Sequence, residues 1–288
     1  MLYVLDSPGK INLTLRITGI RNNGMHDLAS LFMRLSTAEK LTFRFLDGDN
    51  VNKDVVRVHG QVIRDRNILE RVLQVARKSE PHLPFMEVDI WKQVPPGSGL
   101  GAGSGNAAAL IRWLSRELGV SFPFEEVAGI GSDVPFLLEG SPFSFRVGVG
   151  DRIFCDVPDP WGSFKGVIAI PEWSCDTRAT YGMADEFFRE GWELTEEEAL
   201  SETLEILGSL ERQERVGLLP NDFVPVLEAL HPEYSLLFEA AEAGGALAWG
   251  VSGSGSSFFC IFGVDRPVGL CAKMLERTGI VRKILALG

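Results

Sequence analysis

The chain has 288 residues, 45% of them hydrophobic and 23% charged, a balance that supports a packed core of one large or two ordinary domains and excludes a disordered chain. Its formal net charge is -11 and its basic residues are spread along it, so nucleic acid is not an expected partner. The four cysteines form no CxxC pair and no zinc-spaced cluster with histidine, residues 1–10 lack the pattern of a signal peptide, and no apolar run reaches the length of a membrane span, which together predict a reduced, cytoplasmic protein without a membrane partner.

In chain order, Ile11 to Thr18 alternates apolar and polar residues and predicts a half-buried strand, with Lys10, Asn12 and Thr14 on the face opposite the core. Gly19 to Asp27 reads as a loop around Asn22-Asn23-Gly24. Leu41 to Phe45 and Val55 to Val58 predict strands, Asn67 to Lys78 an amphipathic helix, and Met86 to Ile90 another strand. A glycine-rich loop at 97 to 105 leads into a helix over Ala107 to Leu118, for which Ser104 or Asn106 is the expected cap. Val134 to Leu138, Phe143 to Val147 and Val167 to Ile170 predict strands. The Pro- and Gly-bearing stretch Val157 to Gly162 is the expected domain boundary, dividing residues 1–158 from 159–288. Helices follow over Leu194 to Glu214, Asp222 to Leu230 and Tyr234 to Ala243. The end reads strand (Ala246 to Val251), glycine turn, strand (Ser257 to Phe262), helix (Val268 to Arg277) and strand (Val281 to Leu287). Strands and helices interleave without regular βα alternation, so the fold class is α+β.

The loop Gly97-Ser98-Gly99-Leu100-Gly101-Ala102-Gly103-Ser104-Gly105 between a strand and a helix is an expected anion site. Glycines let the backbone come close to a ligand, and the free N–H groups of the first helical turn point at it. An acidic chain needs such a local site to hold a polyphosphate. The loop lacks the Gly-Lys-Ser/Thr of a Walker loop. It nominally meets a GxGxxA dinucleotide fingerprint, but two prolines precede it and no acidic residue closes a following strand.

Pro95, Gly99-Leu100-Gly101, Ser104 and Ala107-Ala108 resemble the central motif of the GHMP kinases. Ser7-Pro8-Gly9-Lys10-Ile11-Asn12-Leu13 resembles their first motif, and Val251 to Ser256 their third. Gly24-Met25-His26-Asp27-Leu28, Arg66-Asn67-Ile68-Leu69, Ser132-Asp133-Val134-Pro135-Phe136, Gly148 to Asp151 and Asn221-Asp222-Phe223 are similar to the 4-diphosphocytidyl-2-C-methyl-D-erythritol kinase family in particular. The matches run from Ser7 to Ser256 in the family's order.

The resemblance implies a ribosomal protein S5 domain 2-like N-terminal domain that binds ATP and a ferredoxin-like C-terminal domain on the substrate side. It implies magnesium-dependent phosphorylation by ATP of the 2-hydroxyl of 4-diphosphocytidyl-2-C-methylerythritol, by a monomer or homodimer. Asp133 is implied as general base and Lys10 as its catalytic partner. Pro95, Gly97, Gly99, Leu100, Gly101, Gly103 and Ser104 are implied for the phosphates, Asn67 and Lys92 for the adenine side, and Ser104 near magnesium. Asn12, His26, Thr177, Tyr181, Ser252 and Gly253 are implied for the substrate. Taken alone, Asp133 also reads as a helix or turn cap, and Tyr181 equally as a core aromatic. Met25 stands where the family has a base-stacking tyrosine, Gly105 where it has serine, and the helix between Glu125 and Asp133 is expected to be short. Another GHMP kinase, of homoserine or mevalonate type, and a non-catalytic nucleotide-binding protein on the same fold remain the competing readings.

Overall fold

The computed structural model describes residues 1–48, 51–61, 67–155, 157, 164–188 and 194–287. Asp49, Asn50, Arg66 and the expected boundary stretch 158–162 lie outside them. The chain forms two compact units, one of Met1–Lys10, Arg34–Pro96 and Gly101–Ser141, the other of Ile11–Met33, Gly97–Leu100 and Pro142–Gly288. Two long strands, β1 (Tyr3–Ile20) and β2 (His26–Phe45), contribute to both. The loop expected over 19–27 shrinks to a tight turn, in which Gly24 takes a positive φ and donates its N–H to the Arg21 carbonyl.

In the first unit, the C-terminal part of β2 pairs antiparallel with β4 (Met86–Trp91), and β3 (Val55–His59) lies parallel along β4. Leu41, Phe43, Val88 and Ile90 alternate onto one face and are buried. The helices are α1 (Ile68–Ser79), α2 (Ala102–Leu118), α3 (Phe124–Ile130) and α4 (Val134–Glu139). Helix α1 buries Leu69, Val72, Leu73, Val75 and Ala76, the apolar stripe of its sequence.

Two expectations are corrected here. Val134 to Leu138 is helical, not a strand: Pro135 sits in the first turn, where its missing N–H costs nothing, and Gly140 ends the helix in the left-handed region. Helix α2 begins five residues before the expected Ala107, at Ala102, and neither Ser104 nor Asn106 caps it. Its N-cap is Gly101 at φ 61, with no side-chain cap, so the first-turn N–H groups receive no side-chain acceptor there.

In the second unit, β5 (Phe143–Gly148) pairs antiparallel with the start of β2, from Leu28 opposite Gly148 to Met33 opposite Phe143, and β6 (Arg152–Cys155) follows on β5. A second sheet takes β7 (Phe164–Pro171), β8 (Gly217–Leu218), β9 (Ala248–Val251), β10 (Phe258–Gly263) and β11 (Val281–Leu287) in the order β11-β7-β10-β9-β8. Its alternate residues Val167, Ala169, Phe258, Cys260 and Phe262 share a core with helices α5 (Thr177–Phe187), α7 (Val224–Leu230), α8 (Tyr234–Ala243) and α9 (Gly269–Arg277). Helix α6 (Glu196–Glu211) opens with a capping box between Thr195 and Glu198.

Strand β1 departs from the half-buried reading. Lys10, Asn12 and Thr14 are 7%, 2% and 2% exposed, so the polar face is as enclosed as the apolar one. Buried polar groups need partners. Asn12 donates from Nδ2 to Ser30 Oγ at 2.8 Å, and Thr14 Oγ1 meets Thr203 Oγ1 on α6 at 3.0 Å.

Candidate active site

In the first unit, β1 carries Lys10 and the residue before α4 is Asp133. The Lys10 ammonium lies 3.6 Å from Asp133 Oδ2, with the two side chains 8% and 21% exposed. Asp133 occupies the N-cap position of α4, yet its carboxylate caps nothing. That removes the capping explanation of this residue and leaves the ion pair. Gly101 completes the arrangement. A Cβ there would stand 3.0 Å from Lys10 Cγ and 3.2 Å from Asp133 Oδ2, crowding the pair, and its φ is positive, which favours glycine. The uncapped first turn of α2 therefore begins against the Lys10–Asp133 pair. Gly103 faces open space, and Ser104 Oγ would be 3.2 Å from a Cβ on Gly131, in the turn before Asp133. The other end of α4 is held by arginines. Arg112, on α2, donates to the Leu137 and Leu138 carbonyls at 2.6 and 3.0 Å, and Arg34 to that of Gly140 at 3.2 Å. These satisfy carbonyls that a helix end leaves open.

The two adenine-side candidates in this unit are already engaged. Asn67 accepts the Leu69 N–H at 2.9 Å and caps α1. Lys92 pairs at 2.7 Å with Glu39, a residue outside every motif singled out in the sequence. Pro95 follows Val94, whose N–H Glu39 accepts at 3.2 Å.

In the second unit, the front of the glycine loop is bound to the third motif. The Gly97 carbonyl accepts the N–H groups of Cys175 and Ser256, both at 3.1 Å, and that of Ser98 accepts from Ser257 at 2.9 Å. Ser252 donates its hydroxyl to the Gly99 carbonyl at 2.8 Å. A Cβ on Gly99 would stand 2.1 Å from the Ser252 carbonyl oxygen, so the two glycine turns touch backbone to backbone. Leu100 is fully buried beside them. Asn12 donates its backbone N–H to Ser252 Oγ at 3.2 Å. Asn221 binds the carbonyls of Val251 and Gly253 through Nδ2 at 2.8 and 2.9 Å and accepts the Phe223 N–H. Ser254 donates to Thr177 at 3.0 Å. Tyr234, whose phenol burial pushes well above its ordinary range, stays a neutral donor to the Ser256 carbonyl at 2.9 Å. Thus Asn12, Thr177, Ser252 and Gly253 gather around one turn.

His26 and Tyr181 meet separately in this unit, ring centroids 4.6 Å apart, and Tyr181 also packs edge-on against Phe223 at 4.7 Å. Asp185, one turn beyond Tyr181 on α5, lies 2.6 Å from His26 Nε2. The i, i+4 spacing of Tyr181 and Asp185 was the available signal for it. Met25 is 47% exposed. Among the described residues no group of three or more His, Cys, Asp or Glu side chains forms a metal cage.

Residues 67–141 match the family model "GHMP kinases N terminal domain" and residues 195–277 match "GHMP kinases C terminal". The 4-diphosphocytidyl-2-C-methyl-D-erythritol kinase of Nitratidesulfovibrio vulgaris is 33% identical over 285 residues, covering 96% of each chain. That of Leptospira interrogans is 30% identical over 292 residues, covering 94% of each. Among solved structures, a 4-(cytidine 5'-diphospho)-2C-methyl-D-erythritol kinase superposes with a TM-score of 0.76 at 25% identity, over 100% of this chain and 98% of that one. Homoserine kinase from Cytophaga hutchinsonii shares the fold at a TM-score of 0.66 and 15% identity.

Proposed function

Because the chain belongs to the GHMP kinases, with their N- and C-terminal domains, and within them to the 4-diphosphocytidyl-2-C-methyl-D-erythritol kinase family, we propose that it transfers the γ-phosphoryl group of ATP to the 2-hydroxyl of 4-diphosphocytidyl-2-C-methylerythritol, a step of non-mevalonate isoprenoid synthesis. The observation that carries the reading is the Lys10–Asp133 pair set against Gly101 at the uncapped start of α2.

Phosphoryl transfer needs positioning and charge neutralisation more than covalent help. The N–H groups of the first turn of α2 and its dipole suit an anion, and Gly101 and Gly103 leave no side chain in its way. Asp133 accepts the proton of the attacking hydroxyl. Lys10, 3.6 Å from it, offsets charge on the group in transfer. Ser104 is the side chain that would hold a magnesium ion brought in with the ATP phosphates, and the ion would supply charge neutralisation there. Asn67 and Lys92 border the adenine. Pro95, Gly97, Gly99 and Leu100 shape the phosphate loop. Asn12, Thr177, Ser252 and Gly253 bind the methylerythritol diphosphate portion, and His26 with Tyr181 the cytosine.

Residues 1–158 make the ATP-binding half in this proposal and 159–288 the substrate half. No helix among the described residues is long and apolar enough to cross a membrane. We place the protein in the cytoplasm as a monomer or homodimer acting on a small molecule, with no nucleic-acid partner.

The test is ADP release by the purified protein with magnesium-ATP, with and without 4-diphosphocytidyl-2-C-methylerythritol. Release that requires this substrate is expected. Release with homoserine or mevalonate instead would replace the substrate, and nucleotide binding without turnover on any of them would overturn the kinase reading.

A further inference from the structure

Glu39 is a buried carboxylate of the first unit engaged through both of its oxygens. Its side chain is 0% exposed. Oε1 lies 2.7 Å from Lys92 Nζ and accepts the backbone N–H groups of Gln93 at 3.3 Å and Val94 at 3.2 Å. Oε2 accepts from Asn106 Nδ2 at 2.7 Å. The partners come from two places, the strand end that enters the glycine loop and the helix turn that leaves it. One carboxylate therefore ties residue 94 to residue 106, across the whole loop.

Asn106 gives the arrangement a direction. Its Oδ1 is buried and has no hydrogen-bond partner. Turning the amide would bring that oxygen against the Glu39 carboxylate, so Glu39 sets which way the amide points. Stability alone does not account for such a group. Well-packed apolar side chains in place of a whole buried ion pair are often about as stable. What they cannot do is hold donors from strand and helix at a fixed spacing. Lys92, 5% exposed along its side chain, is oriented by the same carboxylate.

We propose that Glu39 is a positioning residue for nucleotide binding: from beneath the glycine loop it sets the separation of the loop's two ends and the direction of Lys92. This rests on the reading of residues 97–105 as the phosphate loop. Loss of the charge lets the strand end and the first turn of α2 drift apart. The N–H groups of that turn then no longer converge on one point, which weakens nucleotide binding more than it weakens chemistry.

The experiment measures the affinity of the intact protein for magnesium-ADP by calorimetry, with thermal unfolding alongside and KM and kcat for magnesium-ATP where turnover is present. Glu39→Gln is expected to weaken magnesium-ADP binding about tenfold or more, and to raise KM for ATP by a similar factor, with kcat at saturation within about twofold. Asp54→Asn is the control. It removes a paired carboxylate of the same unit, bound to Arg77 and the Met86 N–H, and is expected to lower the melting temperature with wild-type nucleotide affinity. A Glu39→Gln protein that melts earlier but binds magnesium-ADP as tightly as the parent overturns the proposal. Should that variant not fold, Asn106→Ala removes a single contact and is expected to weaken binding severalfold; unchanged affinity there overturns it equally. A parent protein that binds no magnesium-ADP defeats the phosphate-loop reading together with this proposal, whereas a parent that binds it but phosphorylates no alcohol defeats only the kinase reading.

Discussion

Gly105 lies so close to Pro8 that a Cβ on it would stand 1.7 Å from the Pro8 carbonyl oxygen. The first turn of α2 is pressed onto the backbone of β1 two residues before Lys10. Glycine at a position where the family carries serine is thus a packing requirement of this chain. Gly105→Ser should not restore a lost contact but force the strand and helix apart. We expect a loss of about 3 kcal/mol in stability, measured by denaturant unfolding, and a fall in kcat through displacement of Lys10.

Asp133→Asn keeps the shape of the side chain and removes both its charge and its basicity. Magnesium-ADP should bind as before while kcat falls about 10²- to 10⁴-fold in single-turnover or steady-state assays. Turnover near the parent's would remove Asp133 from the mechanism.

Met25 is half exposed, and Tyr181 already packs on His26. A tyrosine at 25 would offer a flat ring to the cytosine in place of a flexible thioether. Met25→Tyr should lower KM for the cytidyl substrate about threefold to tenfold, from an aromatic pair contribution of about 0.5–1.5 kcal/mol. KM for ATP should not move.

Asn221 satisfies two buried carbonyls and one N–H around the third glycine turn. Asn221→Ala leaves all three without that partner. The expected cost is about 2–3 kcal/mol, read as a lower denaturation midpoint at an unchanged slope.

His231 stacks on Trp173 with ring centroids 4.8 Å apart, and burial lowers its pKa from the ordinary 6.5, against a smaller opposing pull from Glu233. The unfolded chain therefore binds the proton more readily than the folded one. Stability from this group is complete above pH 6.5 and declines as pH falls through and below that value. Melting curves between pH about 7.5 and about 5.5 should show that decline, and His231→Phe should flatten it.

Most of the architecture was readable where a segment was long and periodic. The stripe of α1, the alternation of β4 and the strand–helix order of the last forty residues follow from spacing alone. Short apolar runs were the weak point. Val134 to Leu138 has too few residues for a strand and a helical turn to differ in pattern, and the decisive signals, Pro135 and Gly140, are punctuation and not period. The start of β1 and the first part of β2, from His26 to Lys40, were missed because apolar and polar residues do not alternate there. The Lys10–Asp133 pair came from ordered motifs, 123 positions apart in sequence, and no local rule joins them. Glu39 and Asp185 escaped for a related reason: each gains its role from residues that only folding brings near.

From Ser7 to Leu15, β1 has no residue that faces solvent. A saturation scan across these nine positions would show no two-residue rhythm of tolerant and intolerant sites. Lys10, Asn12 and Thr14 would resist replacement as firmly as the apolar positions, the former for their ion pair and hydrogen bonds and the latter for their volume. Drift within this segment has almost nowhere to go, so in distant descendants of this gene it should outlast the surface helices as the most legible trace of ancestry.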